Sequence, residues 1–234
     1  YNELYNFYLN NLKKNKYIKF KKVENNNYRS LKKKKYNLII NSELKNYITK
    51  KFFYKKIEKN YNSLAYTFII FHKKIKNNIA MQIFTKKGPL AFLPLSNKQT
   101  SVVFSNKSLN KIQFKQIKKI LEKFNNKYEI IRFGKLENFN LRFSMLRNYC
   151  HDNILSFGDL IHKIHPLAGQ GFNMTIRDIK TLSSIIDEKI NLGLEIDNSV
   201  GKDFEKKVKH LNFIYGSGID LIYKFFNLDN KYNN

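Results

Sequence analysis

Apolar positions recur with a period of two through the middle of the chain and with a helical period at its end. From Leu64 onwards, "LAYTFIIF", "NIAMQIFT", "PLAFLPL" and "TSVVFS" each read as a strand. Their close spacing predicts a mostly antiparallel sheet. A helix is predicted from Leu109 to Phe124, then more strand in "YEIIRFGKL" and "NFNLRFSML". Before Leu64, residues 1–50 predict a short helix through Leu4, Tyr8, Leu9 and Leu12. An alternating strand, "YIKFKKV", and a buried one, "YNLII", follow it. After "NILSFGD" the pattern is helical to the end, apart from a loop near Asn191–Ser199. No internal repeat interrupts this order.

One stretch departs from that regularity, "FGDLIHKIHPLAGQGFNMTIRDIK", Phe157 to Lys180. It predicts a buried strand ending at Gly158-Asp159, a rigid turn and a helix. Gly158 admits close approach to the backbone, and Asp159 accepts hydrogen bonds from hydroxyls. Pro166 pins the turn and extends His165, while Gly169 and Gly171 permit positive φ. The helix should carry Phe172, Ile176, Ile179, Leu182, Ile186 and Ile190 along one apolar face. A glycine turn feeding a helix presents unpaired N–H groups and the positive end of a dipole, where an anionic centre is stabilised. It is not a phosphate loop, because no Lys-Ser/Thr follows the glycines. On spacing alone, a ligand cradle and a mere tight connection both remain open. His162 and His165 suit a structural or ligand-packing role, with no metal expected, since Asp159 is the nearby carboxylate. Arg177-Asp178 serves either to anchor the helix or to touch a substrate.

Composition adds bounds. The 234 residues, 42% hydrophobic, suffice for one large domain or two small ones with a proper core. The net charge of +26 comes from lysines scattered through every segment beside many asparagines. Codon bias in an AT-rich genome produces that pattern, and so does a polyanion-binding surface. A single cysteine, Cys150, excludes an internal disulfide framework and fits a reducing compartment. No apolar run reaches the ~20 residues that span a bilayer. The three prolines fall in two motifs only, "GPLAFLPL" and "HPLAGQG", which marks both as geometrically demanding. The opening "YNELYNFYLNNLKK" has neither an initiator Met nor a signal-peptide layout, so the chain reads as a piece of a longer protein.

The Phe157–Lys180 stretch resembles the second FAD-binding motif of the flavoprotein aromatic hydroxylases, nearest to the ubiquinone-biosynthesis hydroxylase family. That family carries Gly-Asp-Ala-Ala-His-x-x-His-Pro-Leu-Ala-Gly-Gln-Gly-x-Asn followed by Arg-Asp. Here Gly158, Asp159, His162, His165, Pro166, Leu167, Ala168, Gly169, Gln170, Gly171, Asn173, Arg177 and Asp178 match, and Leu160 and Ile161 replace the small pair. "FTKKGPLAFLPL", Phe84 to Leu95, resembles the family's substrate-domain strand, and Phe204, Asp220 and Phe226 fall at spacings similar to its C-terminal helices.

The resemblance implies an α+β/α/β fold class: a partial FAD-binding (Rossmann-like) domain, an inserted mostly antiparallel β-sheet substrate domain, and C-terminal helices. Residues 1–52 would be a remnant of the FAD-binding domain, 53–147 the substrate domain, and 148–234 the return to the FAD-binding domain. The cofactor-binding set would be Gly158, Asp159, Pro166, Leu167, Ala168, Gly169, Gln170, Gly171 and Asn173. In it Asp159 would take the ribityl hydroxyls, and Pro166–Gly171 would lie against the isoalloxazine ring with Asn173 just behind. The implied reaction reduces FAD with NAD(P)H or another electron donor and uses O2 to hydroxylate a polyprenylated phenol, in ubiquinone biosynthesis. No catalytic residue is assigned. The cofactor supplies the chemistry, and the protein supplies orientation and water exclusion.

Two departures stand out. The family's GxGxxG unit is not found: Gly169/Gly171 is followed by Met174, and Gly216/Gly218 by Leu221. The family's Ala-Asp-Gly falls at "LIINSELKN", where Ser42 and Glu43 stand instead. Other readings keep the flavin but change the substrate to a soluble aromatic acid or an isoprenoid, or drop catalysis for a basic polyanion- or membrane-surface-binding protein. The hydroxylase reading expects no nucleic acid. It expects a cytoplasmic chain or one peripheral on the inner membrane, with a ubiquinone-biosynthesis protein complex as partner. "FIYGSGIDLIYKFFNL" serves either a membrane surface, through Ile219, Ile222, Phe225 and Phe226, or core packing.

Overall fold

The computed structural model describes residues 2–22, 31, 36–165 and 170–232. Among them ten strands form two sheets, each with its own apolar core. The fold is mixed α/β, with a large antiparallel sheet and long C-terminal helices.

The large sheet is built on β2, Lys56–His72, whose 17 residues lie at its centre. Its neighbours are β5 (Gln99–Asn106) and β7 (Glu137–Leu146), and β6 (Ile130–Phe133) pairs its end, all antiparallel. Beyond β5 come β4 (Gly88–Ser96) and β3 (Met81–Thr85). Alternation explains the core: Leu64, Tyr66, Phe68 and Ile70 of β2 share one face with Phe92 and Phe104. The helix α3, Phe114–Phe124, covers that face with Ile117 and Leu121; α1 and α2 are Asn2–Lys14 and Tyr47–Phe52.

The strand motif "GPLAFLPL" has the demanding geometry expected of it. Gly88 has φ +136°, and an added Cβ would stand 1.9 Å from the Ser105 carbonyl oxygen. Pro94 adjoins a register shift, where a missing donor costs little. Helix α3 starts later than its pattern suggested, because the Tyr66 hydroxyl accepts the Ile112 N–H at 2.9 Å and holds that segment as a loop.

A polar cluster is sealed within this region. His72 Nε2 meets Thr100 Oγ1 at 3.0 Å and His72 Nδ1 meets the Lys73 carbonyl at 2.8 Å. Asn77 Nδ2 reaches the carbonyls of Ser96 (2.8 Å) and Gln99 (3.1 Å), and the Tyr128 hydroxyl donates to Asn77 Oδ1 at 3.1 Å.

The small sheet joins β1 (Ile39–Asn41) in parallel to β9 (Ile154–Ser156), which forms a hairpin with β8 (Cys150–His151). The sheet packs on α4 (Gln170–Asn191) and α5 (Asn198–Tyr232) through Leu155, Leu182, Val200 and Phe204. Glu205 of α5 accepts the N–H groups of Tyr149 (3.0 Å) and Cys150 (3.3 Å), tying the helix to the hairpin edge. Burial pushes the Cys150 thiol up to about 11, so it is an inert thiol.

The expected strand "YIKFKKV" does not form. Its described residues, 17–22, are turn and coil, exposed and outside either sheet; the alternation there has no apolar face to cover. Val23 lies outside the described residues.

Candidate functional site

Strands β1 and β9 run parallel, so their carboxyl ends open on the same rim, the usual place for a ligand crevice in α/β sheets. The Phe157 N–H donates to the Asn41 carbonyl at 2.9 Å and closes the pair. Immediately beyond lie Ser42–Glu43 on one side and Gly158–Asp159 on the other. Gly158 has φ +63°, in the left-handed region that favours glycine, and begins a 3-10 turn, Gly158–Leu160. The short strand β10, His162–Lys163, then pairs antiparallel with β7, opposite Met145 and Ser144.

These pieces enclose a groove of about 1110 Å3. Its rim carries Ser42, Glu43 and Asp159, its far wall is β7 from Phe139 to Arg142, and Gly171 lies at the helix end. His162 and His165 form part of its lining. Both are buried, but they are held in different ways.

His162 is anchored. Its Nε2 lies 2.8 Å from Asp178 Oδ2, with both side chains enclosed. Asn212 of α5 donates to the same carboxylate oxygen at 3.3 Å, and Arg177 donates to Asn212 Oδ1 while stacking 4.6 Å over the Tyr215 ring. Arg177-Asp178 therefore fixes α4 to its surroundings. Enclosure pushes the neighbouring Tyr149 hydroxyl up to about 12.

That anchoring corrects the predicted helix face. Met174, Asp178, Leu182 and Ile185 of α4 are buried, whereas Phe172, Ile176, Ile179 and Ile190 are exposed. The helix turns towards the His162–Asp178 contact, and a face judged from apolar residues alone misses a buried carboxylate.

His165 is held by rings. It stacks on Tyr223 at 4.3 Å between centroids and meets Tyr61 edge-on at 5.2 Å. Neither ring nitrogen has a hydrogen-bond partner among the described residues. Burial lowers its pKa to about 4, against a smaller opposite pull from Asp220. Asp220 itself is engaged by Lys59 at 2.6 Å and Lys224 at 3.2 Å; burial works to raise its pKa, but these contacts prevail and hold it below the ordinary range. The Tyr61 hydroxyl is buried, and enclosure together with the Asp220 charge raises its pKa.

Of the residues expected to hold a cofactor, Gly158, Asp159 and Gly171 come together along the groove. Gln170 opens α4, and Asn173 is exposed one turn on, outside the groove lining. Pro166, Leu167, Ala168 and Gly169 lie outside the described residues. The alternation in β7 showed which side chains face inward but not that the strand walls a groove. Tyr61 and Tyr223 were missed altogether; the signal that carries Tyr61, an irregularity in β2, is not written in hydrophobic periodicity.

The fold has counterparts among solved structures. The chain is similar in fold to the crystal structure of PqsL, described as a probable FAD-dependent monooxygenase, from Pseudomonas aeruginosa. The TM-score is 0.65 at 15% identity, over 83% of this chain and 57% of that one. The chain belongs to the FAD binding domain family, which matches residues 70–192. Over 94 residues it is 37% identical to ubiquinone biosynthesis monooxygenase COQ6, mitochondrial, of Dictyostelium discoideum, covering 40% of this chain and 19% of the relative. Over 152 residues it is 30% identical to the 3-demethoxyubiquinol 3-hydroxylase of Escherichia coli, covering 62% of this chain and 39% of the relative. The chain spans less than half the length of either relative.

FAD fits the residues present. A Cβ added at Gly158 would meet nothing within 4 Å, so the left-handed corner faces open space beside the exposed Asp159 carboxylate. Hydroxyls of a ribityl chain suit that acceptor. The start of α4 presents N–H groups and positive dipole to whatever anionic edge lies there. Ser42-Glu43 also lines the groove, so the position where the family's Asp-Gly would fall is retained although its residues differ.

Proposed function

We propose that this chain forms the substrate sheet and the second flavin contact of an FAD-dependent monooxygenase. Its reaction would hydroxylate the aromatic ring of a polyprenylated phenol in ubiquinone biosynthesis. The observation that carries this reading is the Gly158-Asp159 corner, left-handed, open and at the mouth of a groove that ends on a helix start. The similarity to ubiquinone-biosynthesis hydroxylases supports the substrate class.

When bound, FAD would supply redox chemistry, taking electrons from NAD(P)H or another donor and using O2. The chain's own residues bind and orient. Asp159 would accept from the ribityl hydroxyls, the 166–171 turn would carry the ring, and the α4 dipole would favour negative charge on the ring's nearest edge. Strand β7 would keep water from the reacting carbon. The domain division would place 1–52 and 148–234 on the flavin side and 53–147 on the substrate side, with Phe53 and Leu146 packing across it into the small sheet's core.

A second reading, a soluble aromatic acid as substrate, is favoured by the cationic Arg142 and Lys163 in the groove lining. It is weighed against an apolar prenyl tail by product analysis. Among the described residues no helix is long and apolar enough to cross a membrane. Peripheral contact would use Phe213, Ile214, Leu221, Ile222 and Phe225, exposed on α5, whereas Ile219 packs inward with Tyr223. The Phe226 side chain lies outside the described residues.

The test is the visible spectrum of the protein expressed with its natural upstream sequence. A flavin spectrum, and a hydroxylated product from a prenylated phenol with FAD, NADH and O2, are the expected results. A colourless protein that gains no flavin on titration overturns the assignment.

A further inference from the structure

His165 is 1% exposed, lines the groove, and keeps both imidazole nitrogens without a partner among the described residues. An enclosed polar group left unmatched is unfavourable, so a ligand supplying a missing hydrogen bond gains from it. The ring is also held in place. Strand β2 slips register between Asn60 and Leu64, with Asn62 at φ 50°, and that bulge carries Tyr61 against the imidazole edge. On its face lies Tyr223, whose hydroxyl is 3.2 Å from Ser63 Oγ in the same bulge. Bulge and helix thus form one clamp around a single imidazole.

We propose that His165 orients the substrate through one imidazole nitrogen, its unprotonated one, which accepts the O–H of a neutral phenol in the groove. The inference rests on the monooxygenase reading for the identity of the phenol. The unprotonated nitrogen of a neutral imidazole only accepts, and a phenol has an O–H to donate to it. It matches an ether less well, since an ether only accepts. It matches a carboxylate no better, because the enclosed ring offers a single N–H and no charge. The neighbouring Asp220 is already engaged by Lys59 and Lys224, so it does not compete for the ligand.

The experiment compares 2-prenylphenol with its O-methyl ether by calorimetric titration of the protein, with and without FAD. The wild-type chain is expected to prefer the phenol by about tenfold, the worth of one hydrogen bond in an enclosed site. His165→Phe keeps the stacking surface and is expected to bind both compounds with the affinity of the ether. His165→Gln, which restores a donor and an acceptor, is expected to recover part of the preference. Equal binding by the wild type, or a preference that survives in His165→Phe, overturns the proposal. So does loss of FAD uptake in His165→Phe at unchanged phenol preference, which would give the imidazole to the cofactor. FAD uptake by the wild type is read separately. Its failure sinks the flavoprotein assignment, whereas the phenol–ether ratio alone decides the role of His165.

Discussion

His72 and His165 are equally enclosed, each 1% exposed, yet their surroundings differ in kind. His72 sits in the large sheet with both nitrogens matched, one to Thr100 and one to a backbone carbonyl, and Asn77 and Tyr128 complete the cluster. His165 sits at the groove with aromatic rings on two sides and no matched nitrogen among the described residues. The first pattern is what folding alone selects, because buried polar groups are matched within the chain. The second is tolerated where something beyond the described residues completes the set. Burial by itself therefore does not separate a structural histidine from a ligand-facing one; the state of its nitrogens does.

The largest effect should come from breaking the matched cluster. Asn77→Leu strands the Tyr128 hydroxyl and the carbonyls of Ser96 and Gln99, and is expected to cost about 4 kcal/mol in urea unfolding. The groove lined by Gly158 and Asp159 lies elsewhere, so FAD affinity per folded molecule should be unchanged.

Next comes acid. The folded-state pKa of His165, about 4, lies below its unfolded value of 6.5, so the native state binds fewer protons in that interval. Stability from this source is complete above about pH 6.5 and is lost as pH falls towards 4, by roughly 3 kcal/mol. Urea midpoints measured across that window should show the loss in the wild type and a smaller slope in His165→Phe. A third, smaller change is Asp178→Ala, which deprives His162 of its partner and should lower stability by about 2 kcal/mol in thermal melts. Smallest for stability is Asp159→Ala, on an exposed carboxylate. It should shift unfolding by less than about 0.5 kcal/mol while weakening FAD binding about tenfold in fluorescence titration.

The same contrast explains what was legible in the sequence. Strands β2 to β5 follow from alternation, because one face meets a core and the other does not. The Gly158 corner was legible as a strand end because a glycine there permits the positive φ that ends β9. The face of α4 was not, because a buried Asp178 reads as solvent-facing until His162 is placed beside it. The strand expected at 17–22 failed for the opposite reason, since alternation without a covering layer stabilises nothing. The Tyr61–His165–Tyr223 clamp joins residues remote in sequence through a bulge and a helix contact, and no local pattern encodes that meeting.

Helix α5 runs 35 residues, roughly 50 Å, and seats against a strand of each sheet at glycines. At Gly201 a Cβ would stand 2.9 Å from Cys150 Cβ, and at Gly216 3.0 Å from Met145 Cε. Further along the same rod lies Tyr223. The helix is thus a splint notched at two points, and it carries one jaw of the imidazole clamp at its distal end. Bulk added at either notch would lever that jaw off its ring, so a substitution beside a lone cysteine reaches the groove floor without touching it.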